Sequence, residues 1–293
     1  MCFSVVIPLF NKEASITSTI QSVLDQTYPW FELIVVDDGS TDRSRSMVEA
    51  IDDKRIRLIC QPNNGVSSAR NTGIKAANFD LIASLDGDDL WRNTFLVSMK
   101  CLVDDFPEAG FFGCQFVNDY GSWSELANAI HSTRGYIDNF FRLQPIAPIV
   151  CASSVVIRKA CFERIGYFDE KFSRGEDLDM WSRLAKNYRV AFEPAVLSIY
   201  RRQAENRASD NSPPLDKFYY EHKFNGMSYR ERRWHLRIAG SVLWEMLNKR
   251  RFVDAARMIG VLNVNFPLVI FDRMRSHFES RPTGERNLSH RTG

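Results

Sequence analysis

Three short acidic stretches hold most of the chemistry this chain could perform. Asp37-Asp38-Gly39-Ser40 closes the apolar run Leu33 to Val36. Its plain reading is a strand-to-helix turn, in which Asp or Ser caps the next helix and Gly39 supplies the bend. Its chemical reading is a pair of carboxylates that accept hydrogen bonds from a ribose or a base N–H. Asp86-Gly87-Asp88-Asp89 closes a second run, Leu81 to Leu85. Three carboxylates in four residues repel one another. A divalent cation would relieve that repulsion, because Mn2+ and Mg2+ accept one or two carboxylates and complete their shells with substrate phosphates. The single small residue between Asp86 and Asp88 would let both side chains of an extended segment point the same way; a solvated acidic turn is the alternative. The third stretch, Gly175-Glu176-Asp177, precedes Leu178, Trp181 and Leu184 at helical spacing. A helix dipole alone favours acids in a first turn, but a carboxylate there could also take the proton from an attacking hydroxyl.

These residues need a scaffold, and the first ninety positions describe one. Phe3 to Ile7 reads as a strand stopped by Pro8. Ile16, Ile20, Val23 and Leu24 form the stripe of a helix that ends before Tyr28-Pro29. Leu33 to Val36, Ile56 to Ile59 and Leu81 to Leu85 read as further strands, with a helix from about Val66 to Ala77. Continuous apolar strands alternating with helices predict a parallel sheet covered on both faces. Ligands of such sheets sit outside the carboxyl ends of the strands, which is where both aspartate clusters fall. Further on, Phe111 to Val117, Ser153 to Ile157, Val190 to Phe192 and Leu197 to Tyr200 read as strands and Glu176 to Lys186 as a helix, with a loop-rich stretch from Asn118 to Pro148.

The bulk composition narrows the class. The apolar fraction of 44% and charged fraction of 25% suit a soluble globular chain of 293 residues. Residues 1–200 hold 20 Lys/Arg against 26 Asp/Glu, whereas 201–293 hold 18 against 10, so the basic end suits an anionic partner. The six cysteines show no CxxC pairing, and most sit in apolar contexts that read as small buried hydrophobes in a reducing cytosol. No apolar run approaches a membrane span, and the first residues lack the features of a signal peptide. An acidic rim is the wrong sign for nucleic acid.

The blocks Val6-Ile7-Pro8-Leu9-Phe10-Asn11, Gln26-Thr27-Tyr28, Val36-Asp37-Asp38-Gly39-Ser40, Asn64 to Gly73, Leu85 to Trp91 and Gly175-Glu176-Asp177, in this order, resemble the family 2 glycosyltransferases over about residues 1–200. The resemblance implies an α/β GT-A fold and inverting transfer of a sugar from a nucleotide-sugar donor, with Asp38 on the uracil edge if that donor is a UDP-sugar. Pro8 and Asp38 would line the base and ribose pocket, with Leu9, Phe10, Asn11 and Asp37 among the nucleotide-contacting positions. Arg70 would support the nucleotide or its phosphates. Asp86 would touch the ribose or the metal's water shell, Asp88 would bind Mn2+ or Mg2+, and Asp177 would be the catalytic base, with Gly87 and Glu176 beside them. The family often has a His after Tyr200-Arg201, where this chain reads Arg202-Gln203; any metal or phosphate contact of that His would be absent here or replaced by Arg201 or Arg202.

The expected organisation is a catalytic domain over 1–203, with a donor half to about 108 and an acceptor half from 109. A helical region over 204–279 follows, opening on a polar linker to Leu215, with helices near 228–249, 251–263 and 266–278. The tail 280–293 reads as disordered. The Arg- and aromatic-rich helices either pack on protein or face anionic lipid. The acceptor implied is a saccharide or lipid-linked saccharide, and the location cytoplasmic, at the inner membrane face if lipid is bound. Two other readings compete: a nucleotidyltransferase, for which Asn11-Lys12-Glu13 is a poor Gly-rich loop, and a sugar-nucleotide-binding relative without turnover.

Overall fold

A computed structural model describes residues 1–120, 132–143, 149–172, 174–206, 228–248 and 252–262. The chain divides into two compact units, Met1–Lys223 and Phe224–Gly293. In the first, four parallel strands form one half of a sheet: β1 (Phe3–Leu9), β2 (Phe31–Asp37), β3 (Ile56–Cys60) and β4 (Leu81–Ser84), in the order β3-β2-β1-β4. Helices α1 (Ile16–Leu24), α2 (Ser44–Glu49) and α3 (Val66–Ala76) lie between them in sequence. Pro8 does not stop β1, contrary to the sequence expectation. Val6 O accepts from Leu85 N and Leu9 O from Asp38 N, so alternation turns Pro8 toward β4. The β1–β4 pairing ends at Val6↔Ser84, so no ladder donor is required of Pro8.

The parallel arrangement expected of the first ninety residues holds for these four strands, and the second half of the sheet is mixed. After β5 (Leu90–Trp91) and α4 (Phe95–Asp105), β6 (Ala109–Asp119) begins the second half, which continues with β7 (Gly135–Ile137) and α5 (Phe140–Leu143). A 3-10 turn over Ala152–Ser154 precedes β8 (Val155–Arg158), and α6 (Lys159–Ile165), α7 (Glu176–Asn187) and β9 (Arg189–Arg201) follow. β8 runs antiparallel between β4 and β6, and β9 joins parallel to β6. The two short strands expected near 190 and 200 are one strand. Cys114 pairs with Glu193 and Gln115 with Val196, so Pro194 and Ala195 bulge out of the ladder. The expected loop-rich segment contains β7 and α5; its parts 121–131 and 144–148 lie outside the described residues.

Side chains alternate across β1. Phe3, Val5, Ile7 and Leu9 join the core beneath α1 and α4, and Val6 joins the opposite core with α3, α6 and α7. The second core contains Trp181 stacked on Phe111 at 5.1 Å between ring centroids, a contact of about 0.5–1.5 kcal/mol beyond its burial. The described part of the second unit is two helices, α8 (Tyr229–Asn248) and α9 (Phe252–Leu262), packed on each other. Their positions match the first two helices expected; the third, the tail 280–293 and most of the 204–215 linker lie outside the described residues.

Candidate active site

The carboxyl ends of β1, β2 and β4 form one rim, and the acidic residues gather there. Asp38 is buried and its carboxylate accepts three hydrogen bonds: from Gln61 Nε2 (2.7 Å), Asn64 N (3.0 Å) and Gly65 N (2.8 Å). It therefore fastens the loop after β2 to the start of α3. Asp37 Oδ1 accepts from Ser40 N and closes the turn that Gly39, at φ +76°, makes possible. Asn11 braces the same corner: it adopts φ +51°, and its Oδ1 accepts from Thr41 N at 2.8 Å. Leu9 turns its side chain into the core and offers only backbone to the rim. Phe10 offers its carbonyl, which accepts from Asn206 Nδ2. The rim thus brings Pro8, Phe10, Asn11, Asp37 and Asp38 together.

The acidic segment after β4 is a turn, not an extended stretch: Asp89 N donates to Asp86 O at 3.1 Å. Each of its three carboxylates has its own partners, and two of them face a cation, so the repulsion read from the sequence is relieved in part by the chain itself. Asp86 Oδ1 takes Arg70 Nη2 at 2.6 Å, and Asp88 Oδ2 takes Lys12 Nζ at 2.5 Å. Asp89 is fully buried and accepts from Ser153 Oγ (2.5 Å) and Arg201 N (2.9 Å). Burial, with Asp88 and Asp86 nearby, raises its carboxyl well above the usual range. Burial also raises Asp88, against the opposing pull of Lys12. Gly87 has little room for a side chain, since an added Cβ would lie 3.1 Å from Pro8 O.

Arg70 and Arg201 are both more committed than the sequence indicates. Arg70, on α3, is buried and joins Asp86 to Glu176 Oε1 (2.7 Å), with Phe168 beneath it at 5.4 Å. It spans the acidic turn and the first turn of α7. Arg201 supports the acidic turn from behind. Its Nε donates to Asp88 O, and its two terminal nitrogens to Ser18 Oγ and Thr19 Oγ1.

Gly175, at φ +85°, opens α7 and delivers Glu176 and Asp177 to the same cluster. Asp177 keeps part of its surface open within a dense shell of protein. That burial, with Glu176 adjacent, pushes its carboxyl up to about 7, and Arg70 restrains the shift. A carboxylate poised near neutrality suits a general base. Lys12 and Ser153 join this cluster without having been singled out as site residues in the sequence: Lys12 follows Asn11, the last residue of one matching block, and Ser153 carries no motif.

The donor set also bears on a metal. Among the described residues, no three His, Cys, Asp or Glu side chains form a closed metal site. Two part-exposed carboxylates, Asp86 and Asp88, are what Mg2+ or Mn2+ uses when phosphates supply its other oxygens, so these residues fit such an ion.

The sequence profile described as Glycosyl transferase family 2 matches residues 4–166. The chain belongs to that family. Its sheet is that of the GT-A fold: TarS residues 1–349 from S. aureus, crystallised with UDP-GlcNAc, superpose with a TM-score of 0.66 at 20% identity, over 97% of this chain and 77% of that one. Among curated relatives, a Rickettsia felis glycosyltransferase is 32% identical over 201 residues, 68% of this chain and 32% of its own length. The Escherichia coli UDP-Glc:alpha-D-GlcNAc-diphosphoundecaprenol beta-1,3-glucosyltransferase WfgD is 44% identical over 89 residues, 30% of this family 2 chain and 35% of its own. The matched regions thus span about a third of these relatives' length.

Proposed function

We propose that this family 2 chain is an inverting glycosyltransferase that moves a sugar from a nucleotide-sugar donor, UDP-linked, to a hydroxyl of a saccharide or lipid-linked saccharide. One observation carries the reading. Arg70 ties the acidic turn to the first turn of α7, so a base near neutrality stands beside the carboxylates suited to a diphosphate. In a single displacement the acceptor oxygen bonds to the anomeric carbon as the bond to the diphosphate oxygen breaks. Asp177 takes the acceptor's proton, and attack from the face opposite the leaving group inverts the carbon. A divalent ion on Asp88, with Asp86 at its flank, would offset the charge that builds on the diphosphate. Pro8, Asp38 and their neighbours on the rim would line the base and ribose pocket, with residues 1–108 the donor side and 109–203 the acceptor side. WfgD, whose name gives UDP-Glc as donor and a diphosphoundecaprenol-linked sugar as acceptor, supports the choice of both.

The reading extends to anionic lipid at the inner face of a membrane, touched by the second unit. No described helix is long and apolar enough to cross a bilayer. Exposed Trp244 and Phe252 lie on either side of Lys249-Arg250-Arg251 in the sequence and suit peripheral contact.

Thermal shifts with a set of nucleotide sugars, with and without Mn2+, test the donor and metal together. Ligand at 100 times its Kd adds about 2.7 kcal/mol to folding. A UDP-sugar should raise the melting temperature more with Mn2+ present, and Asp88→Asn should lose that increment. No shift from any donor in the presence of Mn2+ overturns the reading.

A further inference from the structure

Lys12 lies three residues beyond β1, and all three protons of its ammonium are committed. They go to Asp88 Oδ2 at 2.5 Å, Glu205 O at 2.6 Å and Asn206 O at 3.0 Å. The side chain is almost wholly enclosed, its Cγ close beside Gly87, and its backbone N donates to Ser44 Oγ at 2.6 Å. Three oxygens, one of them anionic, around one positive charge make a cation site that the chain fills with its own ammonium. The segment supplying the two carbonyls is tied to the same corner. Glu205 accepts from Ala14 N (3.0 Å) and Ser15 Oγ (2.6 Å), and Asn206 donates to Phe10 O.

We propose that Lys12 is a donor-diphosphate residue that occupies the cation position on Asp88 until the donor arrives. The inference rests on the reading that Asp88 holds a divalent ion beside the diphosphate. Lys12 and a divalent ion repel each other at Asp88 Oδ2, so the ion alone binds against Lys12. A diphosphate reverses this: Lys12 gives up Asp88 and meets the phosphate oxygens, a move that its flexible stem permits and that releases the Glu205 and Asn206 carbonyls.

Removing the charge therefore has opposite effects on two ligands. Lys12→Gln should bind Mn2+ alone about tenfold tighter, read by the loss of free-ion signal in electron paramagnetic resonance, and metal-free UDP about tenfold weaker, read by calorimetry. Lys12→Arg, which keeps the charge, should bind UDP within about threefold of the parent. A merely structural lysine would move both affinities down or neither, so shifts of the same sign, or none, overturn the proposal even if the glutamine variant is less stable. Mn2+ uptake that disappears in Asp88→Asn but is unchanged in Lys12→Gln removes the role of Lys12 and leaves the transferase reading standing. Failure of the parent to bind either ligand removes both.

Discussion

Asp177 can accept a proton only after losing its own, and its surroundings decide the pH at which that happens. Burial and the adjacent Glu176 hold its carboxyl near 7, with Arg70 pulling the other way. Transfer should therefore rise with pH through about 7 at saturating donor. Glu176→Gln removes a neighbouring negative charge and one of Arg70's two anionic partners, and both changes favour ionised Asp177. The acid limb of the rate profile should move to lower pH, and a limb that stays in place would show that another group is titrating. The sign for stability follows from the same shift. A carboxyl raised above its unfolded value of about 4 favours the folded state at low pH, and that contribution is lost as pH rises through about 7. Asp86, Asp88 and Asp177 were legible in the sequence because acids at strand ends and in a first helical turn follow simple rules. The partners that set their charge were not. Lys12 is 76 positions from Asp88 and Arg70 is 106 from Glu176, and no local spacing joins them. Asp38 shows the same limit, since the three donors that its carboxylate accepts from lie 23 to 27 positions further along the chain.

Elements set how closely those residues meet. Helix α3 carries Arg70 and lies against β1 and β2 at Gly73, where an added Cβ would come within 2.4 Å of Val6 Cγ1 and 3.3 Å of Val36 Cγ2. Gly73→Ala forces the helix off two central strands, and overpacking of this kind costs about 1–3 kcal/mol. Arg70 is three residues earlier on the same helix, so its contacts with Asp86 and Glu176 should lengthen as well. A lower urea midpoint accompanied by slower transfer is the expected result, and a parent-like midpoint would mean that α3 accommodates the methyl group. Three of the four parallel strands, β1, β2 and β4, were legible as continuous apolar runs buried on both faces, and β3, at the sheet edge, as a shorter apolar run around Arg57. Strand direction in the second half was not: β8 is as apolar as β4, and periodicity is blind to whether a strand runs up or down. The bulge at Pro194 escaped for a related reason, because a break in apolar pattern looks the same as the end of a strand. Short α2 and α6 have too few turns to establish a stripe.

At the scale of the whole molecule, the question is what the basic second unit faces. Within it, α8 and α9 bury Trp234, Leu236, Leu243, Met246, Ala255 and Met258 but leave Trp244, Leu247, Phe252 and Val253 exposed. The bland expectation, helices packed on protein, accounts for the first group and not the second. Four exposed large apolar residues within ten positions, interrupted in sequence by Lys249-Arg250-Arg251, combine the two attractions of a membrane interface: apolar insertion and opposite charge. Each Lys or Arg near an anionic surface contributes about 1 kcal/mol at low salt, and that part is screened as salt rises. The protein should co-sediment with phosphatidylglycerol vesicles at low ionic strength, less so at high ionic strength, and hardly with neutral phosphatidylcholine. Replacing Trp244 and Phe252 together by Ser should weaken vesicle binding while leaving UDP affinity unchanged, because those side chains are remote in sequence from every residue placed at the donor site. If the parent does not bind anionic vesicles at low salt, the apolar face serves some surface other than lipid. If it binds but the double variant binds equally well, charge alone carries the contact and the exposed aromatics have another purpose.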